Sequence, residues 1–278
     1  MPSDQMQRLT LWSTIAGPNP WKVAFVLEEL DISYDTKLID FPDMKKPPFE
    51  KININGRVPA LQDPNTGITL WESGAIIEYL VETYDKTNKI SFAPGTAEYF
   101  HAKQWLHFQM SGQGPYFGQA IWFDRYHPEQ VETAKDRYMN EIRRVCGVLN
   151  RALEGSEYLV GGKYSYADVA FLPWFILAFF PWYNTAVPGV FAHKVQVSEE
   201  FPNMAAWLTR MRERPAISKV LEKRASLMKG PVVVPLLRRD YHPRPIAMAL
   251  SLGFAAATSV TVSAPIYVDE GIRVPILN

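Results

Sequence analysis

The chain has 278 residues, long enough for one or two domains with buried cores, and its composition (47% hydrophobic, 21% charged) is that of an ordinary globular protein. Lysine plus arginine and aspartate plus glutamate both number 29, so the balanced charge gives no reason to expect nucleic acid or an anionic membrane as a partner. The single cysteine, Cys146, excludes an internal disulfide framework and fits a reducing compartment.

The two ends of the sequence were inspected for a signal peptide and for a membrane-spanning segment. Residues 1–5 are polar and lack the basic-then-apolar layout of a signal peptide, so we expect a cytoplasmic protein. The uncharged stretch 246–264 is near the lower length limit for crossing a bilayer, but much of it is Ala, Ser, Gly and Thr. We interpret it as part of an irregular tail and expect no membrane partner.

The first ninety residues alternate between strand and helix patterns. An apolar run over residues 7–13 predicts a buried strand, which the Gly17-Pro18-Asn19-Pro20 segment ends. Asn19 as the N-cap, with Pro20 at the first helical position, predicts a helix. A strand, an irregular proline-rich segment, a hairpin and a helix follow, at residues 34–39, 41–53, 58–71 and from Ser73 onward. This order is that of a thioredoxin-like α/β domain.

The later sequence shows helical patterns only. Gly112, Gly114 and Pro115 interrupt the first long helix and should kink it. Ser165 and Asp168 have capping-box spacing ahead of a very apolar helix. The interrupted helix begins near residue 105, and the other predicted helices cover residues 137–153, 201–210 and 215–227. We therefore predict a thioredoxin-like domain, a linker, an all-helical domain and an irregular tail, at residues 1–86, 87–95, 96–230 and 231–278.

Arg57-Val58-Pro59 lies where a loop meets the third predicted strand. A proline that opens a strand cannot donate to the ladder, which places it at an edge or a turn. We expect a cis Val58–Pro59 bond, because the backbone of Val58 would then face an extended peptide that adds as a short antiparallel strand. The alternative is an ordinary strand start with a trans proline.

Glu72 and Ser73 stand at the start of the next helix. The Ser73 hydroxyl, the free backbone N–H groups and the positive end of the helix dipole would together receive a carboxylate, and Glu72 would hold an ammonium. The pair suits the α-amino-acid end of γ-glutamyl-cysteinyl-glycine, which is glutathione. Taken alone, the pair is better explained as an N-cap with an acidic neighbour.

Asn19 lies at the start of the first helix. A thiol bound at this terminus would have its anion stabilised by the helix dipole and by a side-chain donor. If Asn19 capped the helix with its carbonyl oxygen, its NH₂ group would stay free to donate, so capping and anion binding are compatible. The five histidines show no metal-ligand spacing, and we expect no metal.

Three motifs follow one another along the chain: Pro18-Asn19-x-x-Lys22-Val23, Asn55-Gly56-Arg57-Val58-Pro59-Ala60-Leu61 and Trp71-Glu72-Ser73-Gly74-Ala75-Ile76. Together they resemble the glutathione transferase superfamily. A fourth, over residues 104–115, resembles the fungal branch related to the yeast nitrogen-catabolite regulator that forms a prion, together with bacterial nu-class transferases. Tyr166-Ala167-Asp168-Val169-Ala170-Phe171 with Trp174 is similar to the family's capped core helix. The resemblance covers about residues 9–227 and implies the two-domain transferase fold.

The resemblance also implies a role for each matched residue. Asn19 would direct the thiol, the Val58 backbone would hold the cysteinyl unit, and Glu72 with Ser73 would bind the γ-glutamyl end. Arg57 would lie near the tripeptide, and the glycine carboxylate would meet Lys45 or Lys51. Pro20-Trp21 stands where relatives usually have Gly and another residue, and the polar prion-forming extension is absent, so the regulatory role does not transfer.

The implied activity is that of a glutathione S-transferase, which lowers the pKa of the glutathione thiol and directs the thiolate at an electrophilic small molecule. Glutathione would be the co-substrate, the assembly a homodimer, and the setting detoxification or secondary-metabolite biosynthesis. The second substrate would lie along the interrupted helix, near Phe108, Met110, Tyr116, Phe117 and Trp122. Glutathione-dependent peroxide or disulfide reduction, isomerisation, and a non-catalytic regulatory module remain alternatives. We expect the tail after residue 230 to be dispensable for glutathione binding.

Overall fold

A computed structural model describes residues 6–180 and 189–227. These residues belong to one compact unit, Met1–Arg239. Within the described residues no helix is both long and apolar enough to cross a bilayer. The irregular tail predicted from residue 231, with its uncharged stretch, lies outside the described residues. Its dispensability for glutathione binding stays a prediction. The boundaries expected at residues 86 and 95 stay predictions.

A four-stranded mixed sheet with helices forms the N-terminal domain. Its strand order is β2-β1-β3-β4, with β1 and β2 parallel and the other neighbours antiparallel. The strands are β1 (Leu9–Ser13), β2 (Tyr34–Leu38), β3 (Ala60–Asp63) and β4 (Ile68–Trp71), and the helices are α1 (Asn19–Glu29), α2 (Pro47–Glu50) and α3 (Ser73–Tyr84). The predicted thioredoxin-like topology is confirmed, including the short, irregular segment around α2.

The start of α1 differs from the prediction in one respect. The helix begins at Asn19, so Pro18 occupies the N-cap position and no side chain caps the helix. The expectation that Asn19 is the N-cap is therefore wrong. Its side chain is directed instead at the second domain, as described below.

The C-terminal domain is helical, as predicted. Its helices are α4 (Ala97–Phe108), α5 (Gly114–Arg125), α6 (Glu132–Ala152), α7 (Tyr166–Phe179), α8 (Val197–Glu200), α9 (Pro202–Arg212) and α10 (Pro215–Leu227). Helix α4 starts eight residues before Trp105, where Thr96 caps it by accepting a hydrogen bond from the backbone N–H of Tyr99 (3.2 Å). The interruption expected near Gly112 is a π-helical turn, Gln109–Gln113, which joins α4 to α5.

Helix α1 is the element on which the two domains meet. It packs on α3 in its own domain and on α7 and α10 of the helical domain. At its C-terminal end the buried Glu29 accepts a hydrogen bond from the Tyr164 hydroxyl (2.8 Å) and a two-point ion pair from Arg214 (2.8 and 3.0 Å). A bidentate, charge-assisted pair of this kind fixes orientation as well as adding stability. The polar groups of α1 are thus satisfied across the domain contact.

The predicted capping box opens α7. The carboxylate of Asp168 accepts hydrogen bonds from Ser165 (3.0 and 3.2 Å), from the backbone N–H of Leu159 (3.0 Å) and from the indole of Trp207 (2.9 Å). Burial raises the pKa of Asp168 to about 6, while these donors act to lower it, so the group is ionised at neutral pH.

We expect Asp168→Ala to lower the free energy of unfolding by about 2–4 kcal/mol, because several buried donors lose their common acceptor and α7 loses its cap. Urea unfolding at neutral pH measures this difference. Asp136→Ala, at an exposed position of α6, is the control and should leave the free energy of unfolding nearly unchanged. Equal values for the two variants would contradict the role of Asp168 as a buried hub.

Candidate functional site

A pocket of about 330 Å³ opens between the N-terminus of α1 and the loop that leads into β3. Four of the residues expected from the sequence line it: Asn19, Lys45, Arg57 and Val58. The other lining residues are Thr14, Gly17, Pro18, Pro20, Phe41, Met44 and Gly56. The structure therefore brings together side chains that are up to 39 positions apart in the sequence, counted from Asn19 to Val58.

The loop before β3 is shaped to present its backbone to this pocket. The Val58–Pro59 bond is cis, as predicted. Asn53 holds the loop by donating from its side-chain amide to the carbonyl of Arg57 (2.5 Å). Gly56 has a φ of +57°, and a Cβ at this position would lie 2.7 Å from the carbonyl oxygen of Met44, so this close approach requires glycine.

Asn19 is oriented by the helical domain. Its Oδ1 accepts a hydrogen bond from the indole Nε1 of Trp174 in α7 (3.0 Å). An indole N–H can only donate, so the branch that faces Trp174 must be the carbonyl oxygen. The NH₂ group is thereby left for the pocket that Asn19 lines. The sequence argument reached the same donor by assuming a helix cap, whereas the structure obtains it from a contact between the domains.

Ser73 begins α3 and is buried, 2% exposed, while Glu72 precedes it and is exposed. Glu72 occupies the N-cap position with a φ of +71° and makes no side-chain cap bond, so Ser73 is not a simple N-cap. The Ser73 hydroxyl lies 3.5 Å from the sulfur of Met110. The start of α3 is therefore covered by the π-helical turn of the other domain.

Lys22 of α1 also lies at the start of α3, beside Ser73 and Met110. The sequence analysis gave Lys22 no role, although it belongs to the motif Pro18-Asn19-x-x-Lys22-Val23. Its side chain is 1% exposed. Nζ lies 2.6 Å from Oε1 of Gln109, 3.2 Å from the Ser73 hydroxyl and 3.7 Å from the Met110 sulfur. Burial lowers the pKa of Lys22 to about 7, partly offset by the charge of Glu72. The signal that could have found it is a lysine within a run of apolar residues on the first helix.

A chain of buried side-chain amides holds Lys22 in place. Gln109 donates from Nε2 to Oε1 of Gln113 (3.0 Å), and Gln113 donates to the backbone carbonyl of Phe171 in α7 (3.1 Å). Both glutamines are fully buried. Each amide therefore has its orientation fixed by its neighbour, which leaves a carbonyl oxygen for the ammonium of Lys22.

Of the two lysines expected to meet the glycine carboxylate, only one lines the pocket. Lys45 lines the pocket and donates from Nζ to the carbonyl of Asn55. Lys51 is exposed and lies outside the pocket lining. Lys45 is thus the lysine in position to meet a ligand beside Asn19 and Val58.

The five residues expected to line a second-substrate pocket do not form one wall. Phe117 is fully buried among Trp174 and other aromatic side chains of α7, which corrects the expectation for this residue. Met110 is half-buried and lies against Ser73 and Lys22, and its place in a second-substrate pocket stays a prediction. The aromatic spacing of a helix does not by itself distinguish its core face from a pocket face.

The remaining three members of that set are half-buried. The guanidinium of Arg144 lies 6.0 Å from the ring centre of Phe108 and 5.8 Å from that of Tyr116. Trp122, further along α5, packs against Tyr126 just beyond the end of that helix (6.0 Å between ring centroids). Phe108 and Tyr116 therefore share one neighbour, Arg144.

Comparison with known proteins places this arrangement in a family. Residues 7–82 match the family model described as glutathione S-transferase, N-terminal domain, and residues 105–215 match glutathione S-transferase, C-terminal domain. The glutathione S-transferase-like protein OpS6 of Beauveria bassiana is 44% identical over 80% of this chain and 98% of its own length. Glutathione S-transferase 1 of Schizosaccharomyces pombe is 41% identical over 80% of this chain and 99% of its own.

A solved structure agrees with these sequence matches. The glutathione transferase URE2P6 from Phanerochaete chrysosporium, in complex with oxidized glutathione, superimposes with a TM-score of 0.72 and 49% identity over 81% of this chain and 99% of that chain. More distant matches include the protein URE2 of Kluyveromyces lactis, 35% identical over 78% of this chain and 62% of its own length, and a structure of Ure2p in complex with glutathione, 35% identical over 77% of this chain and 98% of that chain with a TM-score of 0.69. The chain accordingly belongs to the glutathione S-transferase family, in the branch of the Ure2p-type fungal transferases, and is a glutathione S-transferase.

Proposed function

We propose that this chain binds glutathione in the pocket beside Asn19, lowers the pKa of its thiol and directs the thiolate at a small electrophile. The observation that carries the proposal is the hydrogen bond from Trp174 to Asn19. This bond occupies the amide oxygen and aims the NH₂ donor at the pocket, at the positive end of α1. Orientation of a donor before the ligand arrives is what makes it effective toward a developing anion.

The tripeptide is proposed to lie along the pocket in an extended conformation. The backbone of Val58 pairs with the cysteinyl unit, while Ser73 and Glu72 bind the γ-glutamyl carboxylate and ammonium. Lys45 meets the glycine carboxylate in preference to Lys51, because only Lys45 of the two lines the pocket. Arg57, which is exposed on the same loop, adds positive charge near the peptide. The cysteinyl thiol is then beside Asn19.

The chemical step needs the thiolate. A free thiol has a pKa of about 8.5, so most of it is protonated at neutral pH. Lowering this pKa to about 6.5 makes most of the bound thiol anionic, and the proton passes to solvent. The amide donor and the α1 terminus supply the stabilisation, since both act more strongly on the anion than on the neutral thiol.

A reaction through the protein's own cysteine is disfavoured. Cys146 is the single cysteine of the chain; it is fully buried in α6, and burial raises its thiol pKa. A buried, protonated thiol is a poor nucleophile. The nucleophile of the proposed reaction is therefore the thiol of glutathione.

The finer features of the proposal concern substrate, setting and assembly. The electrophile contacts Phe108 and Tyr116, two half-buried aromatic residues that both lie near Arg144, and it arises in detoxification or secondary-metabolite biosynthesis. The protein is proposed to act in the cytoplasm as a homodimer. The exposed Ile68 and Trp71 on edge strand β4, 40% and 36% accessible, support association between copies. A screen of electrophiles, peroxides and mixed disulfides with glutathione separates conjugation from reduction.

The test of the thiol assignment is Asn19→Ala. Loss of the amide donor should raise the pKa of bound glutathione and slow conjugation at neutral pH, with recovery at high pH, where the thiolate forms without help. Affinity for glutathione should change much less, because the peptide is anchored elsewhere. Thiolate absorbance against pH, for parent and variant saturated with glutathione, measures the shift. An unchanged titration would refute the role given to Asn19.

Trp174→Phe tests whether the indole orients the amide. The variant keeps a ring in the core but removes the N–H that fixes Asn19, so the thiol pKa should rise, by less than in Asn19→Ala. Trp105→Phe is the matched control, because Trp105 packs on Phe171 (6.1 Å between ring centroids) in the same domain. Equal titrations in the two tryptophan variants would show that the hydrogen bond has no part in activation.

Ser73→Ala tests the carboxylate receptor. Removing one hydrogen bond to a charged ligand should cost about 1.5–3 kcal/mol of glutathione affinity, measured by calorimetry. The control is Thr96→Ala, which removes the cap of α4 and should lower stability without changing affinity. Affinity in Ser73→Ala equal to that of the parent would contradict the assignment.

A further inference from the structure

We propose that Lys22 determines the specificity of the site: its buried ammonium, held by Gln109 of the helical domain, makes the receptor at Ser73 selective for ligands that carry a carboxylate there. The inference rests on the proposed function, because it assigns the γ-glutamyl carboxylate to Ser73. Lys22 would affect ligand binding mainly through its contact with Ser73. Lys22 is therefore a positioning residue rather than a catalytic one.

The first argument is that the contacts of this buried ammonium are all neutral. Its neighbours are a hydroxyl, an amide oxygen and a thioether sulfur, on Ser73, Gln109 and Met110. Glu72 acts on it electrostatically, but that side chain is exposed and forms no salt bridge with Lys22 among the described residues. Burying a charge without a partner of opposite sign is costly. An incoming carboxylate at Ser73 would supply the missing negative charge.

The second argument concerns the direction of the Ser73 hydroxyl. An ammonium can only donate, so the hydroxyl oxygen of Ser73 accepts from Lys22 and its proton must point elsewhere. The acceptor available is the Met110 sulfur at 3.5 Å, which is a weak one. A carboxylate oxygen is a much better acceptor. Lys22 thus sets Ser73 as a donor toward the ligand.

The third argument is that this geometry exists before the ligand binds. Gln109 holds Nζ at 2.6 Å, and Gln109 is itself held by Gln113, which is bonded to the backbone of α7. The ammonium is consequently fixed by the domain contact rather than by the ligand. A preorganised charge loses little orientational freedom on binding, which increases its contribution to affinity.

The low pKa of Lys22 gives the proposal a distinctive readout. With a pKa of about 7, most of Lys22 is neutral at pH 7.5 in the free protein. Glu72 is the charged group that raises its pKa, and the groups in hydrogen-bond contact from α3 and the π-helical turn are uncharged. A carboxylate bound at Ser73 would raise the pKa further, so binding should take up a fraction of a proton.

The experiment compares the full-length parent with Lys22→Met by titration calorimetry at pH 7.5. The probes are S-methylglutathione, which has no thiol to titrate, and its analogue with a carboxamide in place of the γ-glutamyl α-carboxylate. We expect Lys22→Met to bind S-methylglutathione about 10- to 100-fold more weakly and the carboxamide nearly as the parent does. In two buffers of different ionisation enthalpy, the parent should show proton uptake and the variant none.

Two further variants provide a second test of the inference and a control. Gln109→Glu keeps the ammonium but gives it a fixed counter-ion, so the preference for the carboxylate and the proton uptake should both fall. Lys194→Met removes a lysine that pairs with Asp124 in the helical domain, and should behave like the parent. Urea unfolding of each variant establishes that it is folded.

The outcomes separate the inference from the proposed function. If the parent fails to bind S-methylglutathione, the proposed function is wrong and the inference falls with it. If the parent binds but Lys22→Met keeps the same affinity, the same preference over the carboxamide and the same proton uptake, the inference alone is overturned. A loss of preference in Lys22→Met and Gln109→Glu, with Lys194→Met unchanged, supports it.

Discussion

The polar side chains of α1 lie in the buried contact with the helical domain, and their need for hydrogen-bond partners there determines the geometry of the site. Asn19 and Lys22 lie three residues apart, one beside the pocket and the other beneath α3, and each is held from the helical domain, by Trp174 and Gln109 respectively. A buried donor or acceptor left without a partner costs about 1–3 kcal/mol, more when charged. The two domains must therefore be docked for the site to have its observed geometry. The same helix ends at Glu29, which is satisfied across the contact by Tyr164 and Arg214.

The π-helical turn explains how the helical domain reaches the site. A π-helical segment accommodates an additional residue within a helix and thereby changes which side chains face a neighbour. Here it places Gln109 against Lys22, Met110 against Ser73, and Gln113 against the backbone of α7. Gly112 within the turn is buried, and a Cβ there would lie 3.0 Å from the ring of Phe108, so the packing leaves little room for a larger residue. The glycines that signalled a kink in the sequence therefore mark the place where the helical domain contacts α1 and α3.

Local signals in the sequence were sufficient for much of the fold. The hairpin around β3 and β4 and the capping box of Ser165 and Asp168 follow from turn and cap chemistry over a few residues. The cis bond before Pro59 followed from what a peptide would need there. Lys45 could not be separated from Lys51 until the course of the irregular segment between β2 and β3 was known.

The errors and omissions all concern contacts over long sequence distances. Asn19 was taken for a cap because an asparagine before a proline fits that position locally, whereas its partner is 155 residues away. Lys22 stands out locally as a lysine within an apolar run, but its partner Gln109 lies 87 positions further on, so the sequence did not indicate what holds it. Phe117 was placed on a pocket wall from its position along the interrupted helix, although its burial depends on which helix covers it. Periodicity identifies an apolar face but not what packs on it.

The charges around Ser73 are arranged to match both ends of an α-amino acid. Lys22 is buried and lies behind the hydroxyl, whereas Glu72 is exposed at the adjacent position, held there by a backbone with positive φ. A buried cation interacts strongly with an anion because little water screens it, and an exposed carboxylate keeps its own hydration until an ammonium arrives. In the proposed binding mode, this unequal burial would make the carboxylate the more stringently tested group of the ligand. The ammonium would then add to affinity at the rim, and the thiol, bound further along at Asn19, would be positioned by a peptide already recognised at its other end.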